Sequence, residues 1–548
     1  MYTTSVAASP QRRADAARSG FLARNRVVLC YACLVVVTLL FASIRYRLRT
    51  MPLERDEGEY AYAGQLMLEG IPPYRLAYNM KLPGTYAAYA VILACFGQNP
   101  TGIHLGMIFV NAGETLLIFL LARRLFGWLA AIVSAAAYAL VSTSPSVLGL
   151  AGHATHFVVL AATAGVLVML YAVEVESRWL VFCSGVLFGL AFLMKQPGIM
   201  FLVFAAVWLV RVKWNVPWED RLRSLFLLLA GGILPFAVTC ALLWKFGVFQ
   251  KFWFWTFVYA VKYASVVPLS KVGLVFWSVF PDVIQPALLL WVLAAAGLTA
   301  FSWCAAARKN AFLLTTLLIF SVIAVSLGSR FRPHYFILIL PAVSLLAGAA
   351  VHYMTLKLAA GAPSKALQAL PACMFVMIFA YGIYQQRAAL FEMSPYALTR
   401  QTYGSNPFPE AVTVGQYLRE HSPASARVVV MGSEPEIYFY AHRHSATGYI
   451  YTYPLLEEQK YASGMQEEMA NEVEAARPEF LVLVMVDSSW FEHAPQPTLL
   501  LPWSKSYISD YYEEMQKVSI PNPEEQGVPE EFQSGPHWSI HIFRRKAS

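Results

Sequence analysis

Charged residues are scarce in this sequence. Asp, Glu, Lys and Arg make up 14% of its 548 residues, whereas 58% of the residues are hydrophobic. Soluble globular domains carry roughly 25% charged residues, so a wholly soluble protein is excluded. Apolar runs long enough to cross the hydrocarbon core recur between Val27 and Ile383, which predicts a polytopic α-helical membrane protein.

Other features are missing as well. None of the seven cysteines follows Cys373, so we expect no disulfide framework in the C-terminal part. The first apolar run, residues 27–44, is followed by RYRLRT without a small-residue cleavage site, which favours a retained anchor over a signal peptide. No internal repeat is evident, which disfavours the inverted-repeat transporter folds. The net charge of +8 lies in loops and tails, where membrane topology places it, so we expect no nucleic-acid partner.

The cationic clusters between the apolar runs alternate in a way that sets the topology. If each cluster is cytoplasmic, the chain has eleven spans, with its N-terminus inside and its C-terminus outside. The spans are expected at about 27–44, 103–121, 128–143, 156–173, 179–195, 198–211, 224–245, 283–304, 311–327, 335–354 and 369–386. Pro83–Phe96 is short for a span, and we interpret it as a juxtamembrane or half-inserted helix. The count rises to twelve or thirteen if such stretches also cross.

Composition divides the chain into three parts. Residues 1–26 are predicted to be a disordered cytoplasmic tail, and residues 27–386 a transmembrane domain whose first outer loop spans 45–102. Residues 387–548 are predicted to form a small extracytoplasmic α/β domain, with strands at 426–431, 480–486 and 538–543 and helices at 409–420 and 467–476. The aromatic segment 246–271 suits either a helix in the headgroup plane or an aromatic belt at a span end.

The polar residues capable of chemistry fall on the outer face of this topology, which is what a single site on one side of a membrane would produce. They are Asp56, Glu57 and Lys81 with the aromatic residues Tyr60 and Tyr74 between them, His153 and His156, Lys195, and Arg330, Arg332, His334 and Tyr335. Of these, Tyr60, Tyr74, His153 and His156 are expected to line the substrate site, and His334 and Tyr335 the site of the lipid-phosphate donor.

Each of these residues also has an ordinary structural interpretation. Asp56 and Glu57 would suit a solvated loop, Lys195 would suit a side chain reaching to the interface, and the arginines would suit headgroup anchors. His153 and His156 are spaced i, i+3, which is compatible with metal ligation and with hydrogen-bonded structure at a helix end.

Taken together, the set fits the transfer of a sugar from a lipid phosphate. Lys81, Lys195, Arg330 and Arg332 are candidates to bind a phosphate ester, and arginine can bind two phosphate oxygens at once. A hydroxyl that attacks a sugar carbon needs a base, for which Asp56 is the candidate. The sugar carbon would become oxocarbenium-like, as in glycoside hydrolysis.

Four blocks of the sequence resemble a known family. They are ERDEGEYAYAGQLMLEGIPPY with NMKLPG, LARRLFG at Leu121–Gly127, FLMKQPG at Phe192–Gly198, and RFRPHYFILILP at Arg330–Pro341. The chain resembles the family 39-like membrane glycosyltransferases of the GT-C class over about residues 45–345. This group includes protein O-mannosyltransferases, the lipid A aminoarabinose transferase and RgtA/B/C/D-like lipopolysaccharide transferases.

The resemblance implies inverting transfer from a polyprenyl-phosphate sugar to an envelope acceptor, at the periplasmic face of a bacterial inner membrane. By position, Asp56 would be the catalytic base, Glu57 a supporting ligand or organiser, and Lys81 the donor-phosphate ligand. Arg332 and His334 would line the donor site. The second outer loop departs from relatives that carry a carboxylate there. A divalent metal ion is therefore an open question, with Glu57, His153 and His156 as its candidate ligands.

The acceptor is also open, because a lipopolysaccharide, another glycan or glycolipid, or a protein hydroxyl would each suit the chemistry. Two functions of other classes compete with glycosyl transfer. A transporter or flippase for a lipid-linked solute would want polar groups at the membrane midplane and related half-repeats, whereas this chain concentrates polar groups on one face. A receptor whose outer domain binds a partner would leave the acidic first loop without a purpose.

Overall fold

The first helix is longer than the first predicted span. The computed structural model describes residues 10–361, 364–490, 498–521 and 538–547, with side chains from Val27 onward. Helix α1 covers Pro10–Arg47. The structure thus has a helix over residues 10–26, where the sequence analysis predicts disorder, and residues 1–9 of the predicted tail lie outside the described residues. The difference has a simple cause: the segment is rich in Ala and Arg, which both favour helix.

Two short helices form the first outer loop. Helix α2 spans Arg55–Leu68 and α3 spans Gly84–Phe96. Glu54 caps α2, because its side chain accepts a hydrogen bond from the Glu57 N–H at 2.9 Å. Asp56 and Glu57 lie in the first turn, where carboxylates are favoured by the positive end of the helix dipole. The DEGE run thus starts a helix, and α2 fixes the direction of each carboxylate.

The apolar part of the chain follows the predicted span order. The helices are α4 (Pro100–Leu125), α5 (Trp128–Val141), α6 (Ala154–Glu174), α7 (Arg178–Met194), α8 (Ile199–Val212), α9 (Trp218–Lys245), α10 (Phe249–Trp253), α11 (Ala260–Ala264), α12 (Val272–Ile284), α13 (Leu288–Trp303), α14 (Ala305–Ser326), α15 (Leu340–Gly361) and α16 (Lys365–Gln385). Among the residues that the structure describes, eight segments are long and apolar enough to cross a membrane, and four shorter apolar helices accompany them. These eight and three of the shorter helices correspond to the eleven predicted spans, and the fourth shorter helix is α3.

Small residues let the membrane helices approach closely. A Cβ added at Gly185 of α7 would lie 2.2 Å from the Leu228 carbonyl oxygen of α9, and one at Gly231 of α9 would lie 2.2 Å from that of Phe182. Such small-residue contacts are typical of helix packing in lipid, where close van der Waals contact replaces the hydrophobic driving force.

The aromatic segment has one side buried in the protein and another side exposed. Helices α10 and α11 flank a π-helical stretch, Phe254–Tyr259. Trp255 and Tyr259 are each 1% exposed, and they share one apolar cluster with Tyr78, Val429 and Tyr449 of other segments. These two rings are buried against the C-terminal region, whereas Phe246 and Trp253 of the same segment are 49% and 45% exposed. A headgroup-plane helix and an aromatic belt, the two sequence-based interpretations, both stay predictions for the exposed side.

The C-terminal region contains a five-stranded mixed sheet. Its strands are β1 (Arg427–Met431), β2 (His444–Ser445), β3 (Phe480–Met485), β4 (Tyr512–Ser519) and β5 (Ser539–Arg545), in the order β2-β1-β3-β5-β4. Strand β1 pairs in parallel with β2 and β3, and β5 pairs antiparallel with β3 and β4. The helices of this region are α17 (Pro395–Tyr403), α18 (Phe408–His421), α19 (Glu436–Ala441), α20 (Tyr453–Leu456), α21 (Ala462–Ala476) and α22 (Leu500–Tyr511).

This region lies against the first outer loop. The Leu53 N–H donates to the Tyr440 hydroxyl at 2.8 Å, and the Tyr78 N–H donates to the Gly448 carbonyl at 2.6 Å. Helices α2 and α19 touch where α2 has Gly58: a Cβ there would lie 2.5 Å from the Glu436 Cβ. Helix α2 is therefore held between the membrane helices and the C-terminal sheet.

Candidate active site

Lys81 joins two carboxylates of helix α2. Its Nζ lies 2.6 Å from Asp56 Oδ1 and 2.7 Å from Glu59 Oε2. The two carboxylates are spaced i, i+3, which places them on one face of the helix. Asp56 keeps a quarter of its side chain exposed, whereas Glu59 is fully buried. The residues at the two ends of the predicted loop site thus form one ion-pair cluster, and its accessible carboxylate is Asp56.

Two tyrosines that the sequence analysis expects to line the substrate site support Lys81 instead. Tyr74 is 1% exposed, and its hydroxyl donates to the Lys81 carbonyl at 2.7 Å. Tyr60 is equally buried, and its ring centroid lies 4.5 Å from Lys81 Nζ, within cation–π range. The structure therefore does not place these side chains at an open surface, because Tyr60 packs on Tyr86 and Tyr89 of α3 and Tyr74 packs on Tyr86 and on Phe252 of α10.

Glu57 points away from Asp56 toward the second outer loop. Its Oε1 accepts a hydrogen bond from the Gly152 N–H at 2.6 Å and lies 3.3 Å from His104 Nε2. His104 Nδ1 in turn lies 2.9 Å from the Arg49 carbonyl oxygen. Glu57 is 2% exposed, so its described contacts fix the loop that carries His153.

The second outer loop and the loop before α15 meet at Asp56. The imidazole rings of His153 and His334 stack with centroids 4.1 Å apart. His153 Nδ1 and His334 Nε2 each lie 3.9 Å from Asp56 Oδ2. Lys195 completes the group, with its Nζ 3.4 Å from His334 Nε2 and 4.0 Å from the centroid of the Tyr335 ring. Four separate segments of the chain thus contribute to one polar cluster.

His156 does not belong to this cluster. Its Nε2 lies 3.1 Å from the Gly149 carbonyl oxygen, within the same loop, and the residue is 1% exposed. Of the two interpretations of the His153 and His156 pair, hydrogen-bonded structure describes His156. The sequence spacing suggests a shared role, but the start of α6 directs the two rings to different neighbours.

The arrangement does not fit a divalent metal ion with its lysines in place. Asp56, His153 and His334 offer ligand atoms within 4.8 Å of one another, and both nitrogens of the buried His153 lack a hydrogen-bond partner in the described part of the chain. However, Lys195 Nζ is close to His334 Nε2, the nitrogen that faces Asp56. The ammonium groups of Lys195 and Lys81 thus lie directly beside candidate ligand atoms, at 3.4 Å from His334 Nε2 and 2.6 Å from Asp56 Oδ1, where they would repel a cation. The other candidate ligands, Glu57 and His156, are engaged elsewhere.

Arg330 and Arg332 diverge despite their shared sequence block. Arg330 lies 3.7 Å from Glu457 Oε1 at the end of α20, and its guanidinium carbon lies 3.7 Å from the centroid of the Tyr263 ring. Arg332 is exposed, and within the described ranges it makes no ion pair. The structure therefore leaves Arg332 accessible to an anion, while Arg330 joins the aromatic segment to the C-terminal region.

The electrostatics separate two kinds of lysine. Burial would favour a neutral carboxyl at Asp56, but Lys81 outweighs that effect and holds the pKa of Asp56 well below its usual range. Burial likewise works against the charge of Lys81, yet Asp56 and Glu59 raise its pKa well above the usual value. Within the described ranges Lys195 has no carboxylate in direct contact, and burial lowers its pKa to about 7, although Asp56 partly opposes this. Burial also lowers the pKa of His153 to about 4, so its imidazole is neutral at neutral pH.

Three residues that contact the predicted site residues were not themselves predicted to have a role there. Glu59 shares Lys81 with Asp56, His104 contacts Glu57, and Glu457 pairs with Arg330. The i, i+3 spacing of Asp56 and Glu59 was a usable signal for the first. The other two depend on contacts between distant segments, for which the single sequence carries no spacing pattern.

Comparisons with known proteins address the family and the fold. Residues 81–244 match the sequence model of a family described as dolichyl-phosphate-mannose-protein mannosyltransferase. No curated protein matches the chain significantly in sequence.

The fold resembles that of ArnT from Cupriavidus metallidurans. Its structure bound to undecaprenyl phosphate is 16% identical, with a TM-score of 0.57, over 95% of this chain and 98% of that chain. Its structure in the apo state is 14% identical, with a TM-score of 0.56, over the same shares. The resemblance stated from the sequence motifs is thereby confirmed: this chain is an integral membrane protein with the GT-C glycosyltransferase fold, and residues 81–244 match the mannosyltransferase family model.

Proposed function

We propose that this protein transfers a sugar from a polyprenyl-phosphate-linked donor to a hydroxyl group of a cell-envelope acceptor, with inversion at the sugar carbon. One observation carries the proposal. A partly exposed carboxylate, Asp56, lies among cationic side chains from two other segments, Lys81 and Lys195, in a chain with the GT-C fold. Sugar transfer from a lipid phosphate needs a base for the incoming hydroxyl and positive charge for the departing phosphate, and this cluster offers both.

In the proposed reaction Asp56 accepts the proton of the acceptor hydroxyl. The hydroxyl oxygen forms a bond to the anomeric carbon from one side of the sugar ring, and the bond to the phosphate oxygen breaks on the other side. Its electron pair leaves with the lipid phosphate, which needs no protonation because it is already a stable anion. The positive charge that develops on the ring is oxocarbenium-like, as in glycoside hydrolysis.

The cations act on the phosphate. Lys81 would exchange part of its contact with Asp56 for a phosphate oxygen, and this exchange makes Asp56 a stronger base at the moment when the donor is in place. Lys195 and the exposed Arg332 add charge on the same side, next to His334 and Tyr335. Arginine and lysine are the side chains best suited to phosphate oxygens.

The proposed place of the reaction is the periplasmic face of a bacterial inner membrane, with the 387–548 region on that side as an extracytoplasmic domain and with lipid around residues 27–386. The contacts of the C-terminal region with the first outer loop support placing both on one side. We propose a lipopolysaccharide, glycolipid or other envelope glycan as the acceptor.

A protein hydroxyl is the second candidate acceptor. The description of the matching family names mannosyl transfer to protein from a dolichyl phosphate, and this supports the candidate without identifying the sugar. A transporter for a lipid-linked solute has less support. Glu114, a carboxylate within a predicted span, accepts a hydrogen bond from the Thr163 hydroxyl at 2.7 Å and thus has a structural partner.

Mass spectrometry of envelope glycans, glycolipids and glycoproteins from cells with and without the protein tests the proposal. We expect a hexose or pentose to be lost from one acceptor class. Loss from a glycolipid or glycan supports the first acceptor, and loss from a protein supports the second. Unchanged profiles of all three classes would contradict glycosyl transfer.

A further inference from the structure

Glu59 is a fully buried carboxylate with four polar contacts in the described structure. Its Oε2 receives hydrogen bonds from Asn79 Nδ2 at 2.7 Å and from the Tyr451 hydroxyl at 2.9 Å, in addition to Lys81. Its Oε1 receives one from the Tyr86 hydroxyl. The Lys81 ammonium group and the Asn79 amide nitrogen can only donate, and both contact Oε2, so these contacts favour the ionised form. Since its side chain is 0% exposed, Glu59 cannot receive a proton from a substrate.

One of those four donors comes from the C-terminal region. Tyr451 lies between β2 and α20, and its hydroxyl is also 3.0 Å from the Arg55 carbonyl oxygen, so its single proton is shared between Arg55 and Glu59. Tyr451 is 6% exposed and is separated from Glu59 by 392 positions in the chain. The C-terminal region thus reaches the ion pair at Lys81 through one hydroxyl group.

We propose that Glu59 and Tyr451 are positioning residues for Lys81, through which the C-terminal region keeps the lysine charged and in place while Asp56 is free to act as a base. The expected effect on sugar transfer rests on the proposed function. The coupling of Tyr451 and Glu59 to Lys81 does not, because it is present in the protein without substrate.

The carboxylates of Asp56 and Glu59 have different roles because they differ in exposure. If Lys81 were paired with Asp56 alone, a phosphate that drew the lysine away would leave it without a protein partner. Because Glu59 is buried and cannot move with the substrate, it keeps its contact with the Lys81 ammonium group during the reaction. Tyr451 contributes by stabilising the charge of Glu59: burial raises the pKa of Glu59 although Lys81 opposes it, so the loss of a donor would favour its protonation.

The test measures the reactivity of Lys81 directly. The amine of each lysine is acetylated in the detergent-solubilised full chain at several pH values between 8 and 11, and the modified fraction is read by mass spectrometry. The exposed Lys517 serves as the reference. Only the neutral amine reacts, so a pKa lower by one unit makes labelling about tenfold faster where the charged form dominates.

Three variants give the contrast. Glu59→Gln keeps the shape but removes the charge, and we expect Lys81 to react about tenfold faster. Tyr451→Phe keeps the ring, and we expect a change in the same direction of about threefold. Tyr449→Phe is the matched control, because the Tyr449 hydroxyl donates to Glu468 at 2.6 Å in the same region and Glu468 pairs with Lys251. It should alter Lys251 labelling and leave Lys81 as in the unaltered protein.

Sugar transfer is measured on the same preparations, and we expect Glu59→Gln and Tyr451→Phe to lower kcat with little change in the donor KM. Unchanged Lys81 labelling in both variants would overturn the coupling, whatever their activity. Faster labelling with unchanged kcat would overturn its role in the reaction. If the unaltered protein transfers no sugar but the labelling shifts persist, the proposed function fails and the coupling stands.

Discussion

The imidazole rings of His153 and His334 stack face to face, with their planes 10° apart, beside the carboxylate of Asp56. The pair joins the loop before α6 to the loop before α15. Both residues are buried, at 1% and 8% exposure. Such a stack holds two loops in register and presents ring nitrogens to Asp56 and Lys195 at the same time.

Replacing one ring should separate its packing role from its polar role. In His334→Phe the stack is kept but Nε2 is lost, and we expect sugar transfer to fall about tenfold or more while the protein remains folded. His421→Phe is the matched control, because His421 stacks on Tyr417 at the protein surface with centroids 4.0 Å apart. Activity equal in His334→Phe and the control would show that the ring nitrogen has no part in transfer.

The lowered pKa of Lys195 predicts that kcat/KM for the donor depends on pH. Its pKa of about 7 means that it is charged below pH 7 and loses its charge as the pH rises above that value. The donor phosphodiester keeps one negative charge across this range, so kcat/KM for the donor should fall above pH 7, by up to about tenfold per pH unit. The dependence should appear in kcat/KM more than in kcat, because a bound phosphate holds the proton on the amine.

Lys195→Arg provides the decisive comparison, since a guanidinium stays protonated at every pH of the assay. We expect its kcat/KM to be lower at pH 6 but flat between pH 6 and 9. A decline in the variant as steep as that in the unaltered protein would assign the pH dependence to another group.

The contact of Arg330 with Glu457 predicts competition with the donor. If Arg330 binds the phosphate, it must leave Glu457, whose carboxylate also accepts a hydrogen bond from the Tyr259 hydroxyl at 2.5 Å. Glu457→Gln removes the charge and keeps that hydrogen-bonding position, so the donor KM should fall about two- to fivefold, which corresponds to about 0.5–1 kcal/mol. A donor KM that is unchanged or higher would count against a phosphate role for Arg330.

Gly58 should be intolerant of a side chain. A Cβ there would lie 2.5 to 2.8 Å from the Cβ, N and Cα atoms of Glu436, which are mostly backbone and cannot move aside cheaply. We expect Gly58→Ala to destabilise the protein by about 1–3 kcal/mol and to expose the C-terminal region to proteolysis. Gly113→Ala, where the nearest neighbour is Leu160 Cδ1 at 3.5 Å, is the control and should unfold at the temperature of the unaltered protein or above. Equal protease resistance in both variants would contradict a tight α2–α19 contact.

The apolar periodicity and the alternating cations were sufficient to predict the helices of the membrane part, because burial in lipid demands long uninterrupted runs. Part of the first outer loop was also predictable from the sequence: Asp56 and Lys81 were expected in one site, and in the structure Lys81 Nζ lies 2.6 Å from Asp56 Oδ1. The catalytic and binding roles assigned to them stay predictions. In the C-terminal region, β1, β3 and β5 were anticipated from their apolar runs. Strand β4 was missed, since its sequence YEEMQKVS has an exposed and charged face.

The remainder depended on contacts that no local pattern encodes. His104 faces Glu57 from the first turns of α4, and Tyr451 reaches Glu59 from the far end of the chain. The burial of Tyr60 and Tyr74 followed from their packing on aromatic side chains of α3 and α10, which composition alone did not indicate. His156 was directed inward by the geometry of the loop before α6, although its spacing from His153 suggested a shared site.

The most direct test of the central claim is sugar transfer by the purified protein in lipid, with a radiolabelled polyprenyl-phosphate sugar fraction and an envelope acceptor extract. Asp56→Asn is compared with Asp220→Asn, a surface aspartate that pairs with Arg178 at 3.0 Å. We predict that Asp56→Asn lowers transfer at least about 100-fold, the usual contribution of a general base, while insertion and donor binding persist. Asp220→Asn should transfer at the rate of the unaltered protein. Full activity in Asp56→Asn would contradict the assignment of Asp56 as the base.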